Sequence, residues 1–209
     1  MYVTTLGIAG PSGAGKTTLA QALAQSLAAR GPVVFQLDAY YRDLAALPPA
    51  RRAAENFDVP GALDWELLVA QLRRLQAGQA VEQPVYDFAR HTRDAGVRPL
   101  APGGLLIVEG LHALHDRLRP WLDLKIFVDL DQEACLARRL ARDTATRGRS
   151  AAGVRQQFAA TVRPMFEAHV APLRAWADVV VAGDRPPAQA VARVTARLAG
   201  RVPAREAGA

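Results

Sequence analysis

The chain has 209 residues, half of them apolar and 22% charged, with a formal net charge of +6. That length suits one domain over 1–209, able to bury about 70% of the surface its unfolded form would expose. One cysteine, Cys135, rules out an internal disulfide and suits a reducing cytoplasm.

No apolar run reaches the roughly 18 residues a membrane helix needs, and the N-terminus enters a strand rather than a signal peptide. The basic balance does not read as nucleic-acid binding. Of 26 basic residues only Lys16 and Lys125 are lysine, and no basic run is interleaved with aromatics. One of those two lysines lies in a glycine loop.

That loop comes first along the chain. Residues 3–9 form a short apolar run that predicts a buried parallel strand. They lead into Gly10, Pro11, Ser12, Gly13, Ala14, Gly15, Lys16, Thr17 and Thr18, which fit G-x-x-x-x-G-K-[ST]. Leu19, Leu23 and Leu27 then recur at helical spacing, predicting a helix over 16–30. Strand, glycine loop and helix are the setting a phosphate loop requires. Its backbone N–H groups and the helix N-terminus attract phosphate oxygens. Lys16 reaches the terminal phosphates and Thr17 offers a hydroxyl to Mg²⁺. The chain is therefore expected to bind a nucleoside triphosphate.

Further strands are predicted at 33–37, 105–108, 124–128 and 179–182. Helices are predicted at 64–77 with Asp64 as N-cap, and at 113–121, 131–146, 150–176 and 187–200. Pro164 and Pro172 should kink or split the helix at 150–176. Residues 81–100 alternate aromatic and polar positions around Pro84 and Pro99, and read as a hairpin outside the main sheet. Residues 203–209 read as a frayed tail. The alternation of strands and helices predicts an α/β fold, a five-stranded parallel sheet flanked by helices with the hairpin beside it.

Ligands of such sheets gather at the carboxyl ends of strands, where Asp38 and Glu109 stand. Asp38 suits a general base or a metal contact, against a plain turn aspartate; Glu109 suits a metal or water-positioning group. Arg138, Arg139, Arg142, Arg147 and Arg149 fit a lid of about 138–150 over phosphate, against a solvated helix face pairing with Asp131 and Asp143. His112 and His115 form H-x-x-H without an evident third ligand, which favours a surface or capping role over zinc. His169 reads as structural, Cys135 as a small core residue, and Trp65, Trp121 and Trp176 as packing residues.

Together these blocks resemble the uridine kinase (uridine-cytidine kinase) family from about 3 to 182. Residues 10–17 resemble its phosphate loop, and Asp38-Ala39-Tyr40-Tyr41-Arg42 its Asp-x-(Phe/Tyr)-Tyr block. Asn56-Phe57-Asp58-Val59-Pro60 is similar to its Asn-Phe-Asp-His-Pro block, with Val59 in the histidine's place. Tyr86-Asp87-Phe88-Ala89-Arg90-His91-Thr92-Arg93 resembles its most diagnostic signature, Tyr-Asp-Phe-x-x-His-(Ser/Thr)-Arg. The resemblance implies transfer of a phosphoryl group from ATP or GTP to the 5′-hydroxyl of uridine or cytidine. It makes Asp38 the base, Lys16, Arg142 and Arg147 phosphate partners, and Thr17, Asp38 and Glu109 the Mg²⁺ set. Asp58 and Arg139 would hold the ribose and Tyr86 and His91 the base edge. Tyr41, Phe57, Phe88 and Arg149 would wall the base, and Gln157 would complete the site. A small-molecule partner, no nucleic acid, no membrane and a homotetramer are also implied.

Two rival readings stand beside it. One is a related kinase acting on another acceptor, such as ribulose 5-phosphate or pantothenate. The other is a nucleotide-binding module without catalysis. The block from Tyr86 to His91 speaks against the first, because a sugar phosphate has no flat base to wall. Intact Lys16, Thr17, Asp38 and Glu109 speak against the second.

Overall fold

Strand β1 (Thr4–Ala9) is buried at all six residues and β5 (Leu105–Glu109) at all five, which makes both interior strands of a sheet covered on two sides. They belong to a computed structural model that describes residues 3–146 and 148–200. The predicted tail at 203–209, and Arg147, lie outside the described residues. β1 and β5 pair in parallel, with β2 (Pro32–Gln36) outside β5 and with β6 (Leu124–Asp129) and β7 (Val179–Ala182) beyond β1. The order β2-β5-β1-β6-β7 is the predicted five-stranded parallel sheet. Register aligns Ile8, Glu109 and Gln36 across three strands, so the carboxyl ends of β1, β5 and β2 open at one level.

The period of two along each strand divides the core. Leu105 and Ile107 join Leu6, Ile8, Leu19 and Leu23 on one face, against α1 (Lys16–Ser26) and α7 (Pro187–Ala199). Leu106 and Val108 join Phe35, Leu68, Leu72 and Leu75 on the other, against α3 (Trp65–Gln76). The Asp64 carboxylate caps α3 by accepting from the Leu67 N–H at 3.2 Å, as its position before an apolar-periodic run predicts. A short helix α2 (Pro49–Ala54), begun by a proline at its first turn, was not predicted.

The hairpin is present as β3 (Val81–Asp87) and β4 (Thr92–Leu100), a separate antiparallel pair whose register slips between Pro84 and Tyr86. It docks along the open edge of β2 through side chains. Gln83 Nε2 donates to the Gln36 carbonyl at 3.3 Å, and Arg98 Nη2 to the Val34 carbonyl at 3.0 Å. These bonds occupy carbonyls that an uncovered edge would present to other chains.

Two predicted helices differ from what is found. Residues 113–121 form successive tight turns ending in the 3₁₀ turn Arg119–Trp121, bonded largely from residue i+3 back to residue i. Pro120 has no N–H for an α-helical ladder, and the tight turns bury Ala113, Leu114 and Leu118 together. The segment 150–176 stays helical but changes pitch. After α5 (Ala151–Gln157) come a wide π turn at Phe158–Val162, the α-turn α6 (Arg163–Met165), a second π turn at Phe166–Val170 and a 3₁₀ run at Ala171–Trp176. A proline ring inside a helix removes a bond to residue i−4, and wider turns accommodate it without a break.

Candidate active site

The loop after β1 is shaped by close approach. At Gly10, φ is +149°, and a Cβ there would stand 2.3 Å from the Val128 carbonyl oxygen on β6, so only glycine fits. Gly15, at φ +97°, turns the chain into α1 (Lys16–Ser26). Lys16 Nζ, nearly buried, donates to the Pro11 carbonyl at 2.9 Å and arches over the loop. Burial holds its pKa below the usual lysine value, while the charges of Glu109 and Asp38 oppose that shift.

The strand ends add oxygens. Thr17 Oγ1 donates to Glu109 Oε1 at 3.0 Å, and Gln36 Nε2 reaches the same oxygen at 3.4 Å. Asp38 sits on the 3₁₀ turn Leu37–Tyr40 directly after β2 and lines the same cleft. Glu109 is 6% exposed, and burial pushes its pKa up, with the Asp38 charge adding to the rise. Two carboxylates facing one cleft beside a hydroxyl form a hard oxygen set suited to a small divalent cation.

Some distance along the same cleft is a box of rings. Tyr41 lies 5.3 Å from Tyr86 and 5.4 Å from Phe57, and Tyr86 lies 5.4 Å from Phe88, ring centre to ring centre. Phe57 and His91 stack at 4.7 Å and 15°. His91 takes φ +55° at the hairpin tip, where Asp87 Oδ1 accepts from the Ala89 and Arg90 N–H groups. The buried Tyr86 hydroxyl has no hydrogen-bond partner among the described residues, and burial pushes its pKa up to about 12. Such a hydroxyl is poised for a ligand. Arg93 clips the hairpin to the body, its Nε on the Tyr41 carbonyl at 3.1 Å and its Nη2 on Asp64 at 3.0 Å.

Between the two ends stand α4 (Gln132–Thr146) and α5. Arg139 Nη1 lies 3.4 Å from Ser12 Oγ and 4.0 Å from Asp58 Oδ1, and its Nη2 donates to Gln157 Oε1 at 3.1 Å. Arg149 Nη1 donates to the same Gln157 oxygen at 2.7 Å. Burial raises the Asp58 pKa, and Arg139 is the largest opposing influence. Arg138 turns the other way, bridging the Gly13 and Gly183 carbonyls at 3.3 and 3.0 Å.

One cleft of about 720 Å³ thus brings together Ser12, Gly13, Gly15, Lys16, Thr17, Thr18, Asp38 and Glu109 with Tyr41, Phe57, Asp58, Tyr86, Phe88, His91, Arg139, Arg142, Arg149 and Gln157. Gly10, Pro11 and Ala14 shape the loop from behind rather than lining that cleft. Ala14 instead borders a second cleft of about 380 Å³ with Arg138, Val181, Gly183 and Arg185. Arg147 lies outside the described residues. Sequence reasoning missed Gln36, Gln83 and the clip at Arg93. A polar residue ending an apolar strand was the available signal for Gln36.

Three sequence readings need correction. Asp143 is not part of a solvated helix face; it is fully buried among arginines. His112 is not a surface residue but 2% exposed, because the turn at 110–113 folds it inward, behind Asp58. His115 is half-buried and stacks on Trp65 at 4.7 Å. Trp176, expected to pack, is 53% exposed under the guanidinium of Arg119.

Burial drives the His112 pKa down to about 3, with His115 and His169 adding to the fall. Folding therefore excludes a proton that the unfolded imidazole takes up below pH about 6.5. His112 costs nothing above that pH, and stability falls by about 1.4 kcal/mol per pH unit as the medium is acidified towards pH 3. His112→Leu should flatten the acid limb of stability measured by urea unfolding between about pH 6 and 4. An unchanged slope would refute this assignment.

The described residues contain no helix long and apolar enough to cross a membrane. The family model described as Phosphoribulokinase / Uridine kinase family matches residues 5–192. A uridine kinase of Chloroflexus aggregans is 43% identical over 194 residues, 92% of this chain and 93% of that one. One from Deinococcus deserti is 39% identical over 177 residues, 84% of this chain and 86% of that one. The structure of phosphoribulokinase from Rhodobacter spheroides superposes with a TM-score of 0.64 at 18% identity, over 86% of this chain and 70% of that one, a likeness of fold. A glycine loop, a strand-end glutamate and a docked aromatic hairpin on one parallel sheet, matched over nine-tenths of its length, mean that this chain belongs to the phosphoribulokinase/uridine kinase family.

Proposed function

We propose that the protein transfers the γ-phosphoryl group of ATP or GTP to the 5′-hydroxyl of uridine or cytidine, giving UMP or CMP. The observation that carries this reading is the single cleft with a phosphate-binding loop and Asp38 at one end and a ring-walled box at the other. The names of the relatives that align over most of the chain support it.

The residues divide the work by chemistry. Loop amides, Lys16 and α1's N-terminus hold the triphosphate. Arg142 and Arg147 take the transferring phosphoryl. Asp58 and Arg139, an acid and a guanidinium side by side, suit the two vicinal ribose hydroxyls. Tyr41, Phe57 and Phe88 offer faces to a flat base, Arg149 and Gln157 close over it, and Tyr86 and His91 meet its polar edge. A primary alcohol held between the two ends gives its proton to Asp38 as its oxygen attacks phosphorus. Mg²⁺ held by Thr17, Asp38 and Glu109 would supply positive charge against the phosphoryl oxygens. The second cleft, beside Arg138 and Gly183, suits the donor's base. The same reading makes this a cytoplasmic enzyme of pyrimidine salvage and a homotetramer, in keeping with the buried free thiol of Cys135 and the family resemblance.

Turnover with uridine and cytidine side by side, each with ATP and with GTP, tests the reading. Transfer to ribulose 5-phosphate or pantothenate alone would reject it. Within it, His91→Ala should raise the nucleoside KM about tenfold, the worth of one polar contact, and leave the KM for ATP alone. Equal changes in both KM values would remove His91 from the base edge.

A further inference from the structure

Asp143 lies in the last turns of α4 with no solvent exposure, and three arginines among the described residues surround it. Arg142 Nε approaches Oδ1 at 2.8 Å, Arg139 Nε approaches Oδ2 at 3.4 Å, and Arg149 Nη1 lies 3.7 Å from Oδ2. The Asp143 carbonyl also accepts the Arg149 N–H at 3.2 Å, tying the chain after the helix back to it. Arg142 hydrogen-bonds through its inner nitrogen, and Arg139 turns its own inner nitrogen to the carboxylate as an ion pair at 3.4 Å without hydrogen-bond geometry. For Arg139 this frees Nη1 and Nη2 for Ser12 and Gln157.

We propose that Asp143 is the positioning residue that presets Arg139, Arg142 and Arg149 for both substrates. The proposal rests on the kinase reading. Arg139 joins the glycine loop to Asp58 and Gln157, Arg149 shares the Gln157 oxygen, and Arg142 lines the cleft beside Lys16. One carboxylate therefore sets the aim of groups at both ends. Without its charge, three guanidinium groups in one place repel, and each loses a fixed anchor. Stability is a poor explanation for the arrangement, because buried ion pairs are often no better than apolar replacements. Aim is a better one, since a misplacement of about 1 Å in a positioned group can cost about 10²-fold in rate. Asp143 touches no substrate in this account; it acts through the arginines.

The test uses the full chain as wild type, Asp143→Asn and Asp143→Glu, with kcat and both KM values, thermal melting, and hydrogen exchange over 148–157. Asp143→Asn should lower kcat about 10²-fold and raise the nucleoside KM severalfold in a protein that still melts cooperatively. Asp143→Glu keeps the charge but shifts it by one methylene, and should lower kcat about tenfold. Should Asp143→Asn fail to fold, Asp143→Glu decides alone. Either folded variant turning over within about twofold of wild type overturns the proposal. So does a fall in melting temperature with no change in kcat. If the wild type phosphorylates no nucleoside, the kinase reading fails and exchange decides for Asp143. Faster exchange over 148–157 in Asp143→Asn supports it, and an unchanged pattern overturns it.

Discussion

Asp38→Ala is expected to lower kcat by about 10²–10⁴, the usual worth of a positioned general base, while the affinity for ATP changes little. Asp38 stands on the turn directly after β2, in the cleft that also holds Lys16 and Thr17. Its negative charge reaches across that cleft, since it pushes up the pKa values of Glu109 and Asp58 and opposes the fall at Lys16. No other acid in the cleft is as well suited. Glu109 is committed to Thr17 and Gln36, and Asp58 stands against Arg139. In the proposed reaction, removing Asp38 deletes the acceptor for the alcohol's proton and leaves the glycine loop intact. Steady-state kinetics with ATP titrated by calorimetry separate the two effects. If the main change were a weaker affinity for Mg²⁺ and ATP with kcat restored at saturation, Asp38 would be a metal contact only.

Lys16→Met should be nearly as severe, with kcat/KM for ATP down by about 10²–10³, the range found when one preorganised charge is removed from a transition state. Methionine keeps the volume of the stem, so the nearly buried site stays filled and the protein folds. What is lost is the ammonium group. It bonds the Pro11 carbonyl and partly offsets the buried carboxylate of Glu109. The variant should therefore raise the Glu109 pKa further, so that proton uptake at the proposed metal site begins at a higher pH. Turnover plotted against pH would then lose activity earlier on acidification than the wild type does. Retained kcat/KM, or an acid limb in the same place, would show that Lys16 contributes binding geometry without charge stabilisation.

The elements most legible in the sequence were those whose pattern and chemistry agree locally. A strand, a glycine loop and a helix in succession leave few alternatives, and the unbroken apolar run of 105–108 announces a strand covered on both faces. Asp64 was readable as an N-cap for the same reason, since the cap and the periodic run it serves are neighbours. The stretch 113–121 was misread because apolar residues spaced three and four apart suit both an α-helix and a row of tight turns. Burial of Leu114 and Leu118 beneath neighbouring elements chose the turns. Pro164 and Pro172 were rightly seen as disturbances, although how a helix absorbs a proline depends on what packs around it.

The chain's order of residues determined the parallel α/β fold and the glycine loop, because each depends on neighbours a few positions away. Tertiary structure alone decided that Asp38, His91 and Arg139, separated by scores of residues, share one cleft. It also decided the environments of Asp143 and His112. Whether a charged or titratable side chain is solvated or buried among partners is set by segments distant in the chain, and burial is what shifts its pKa and fixes its orientation.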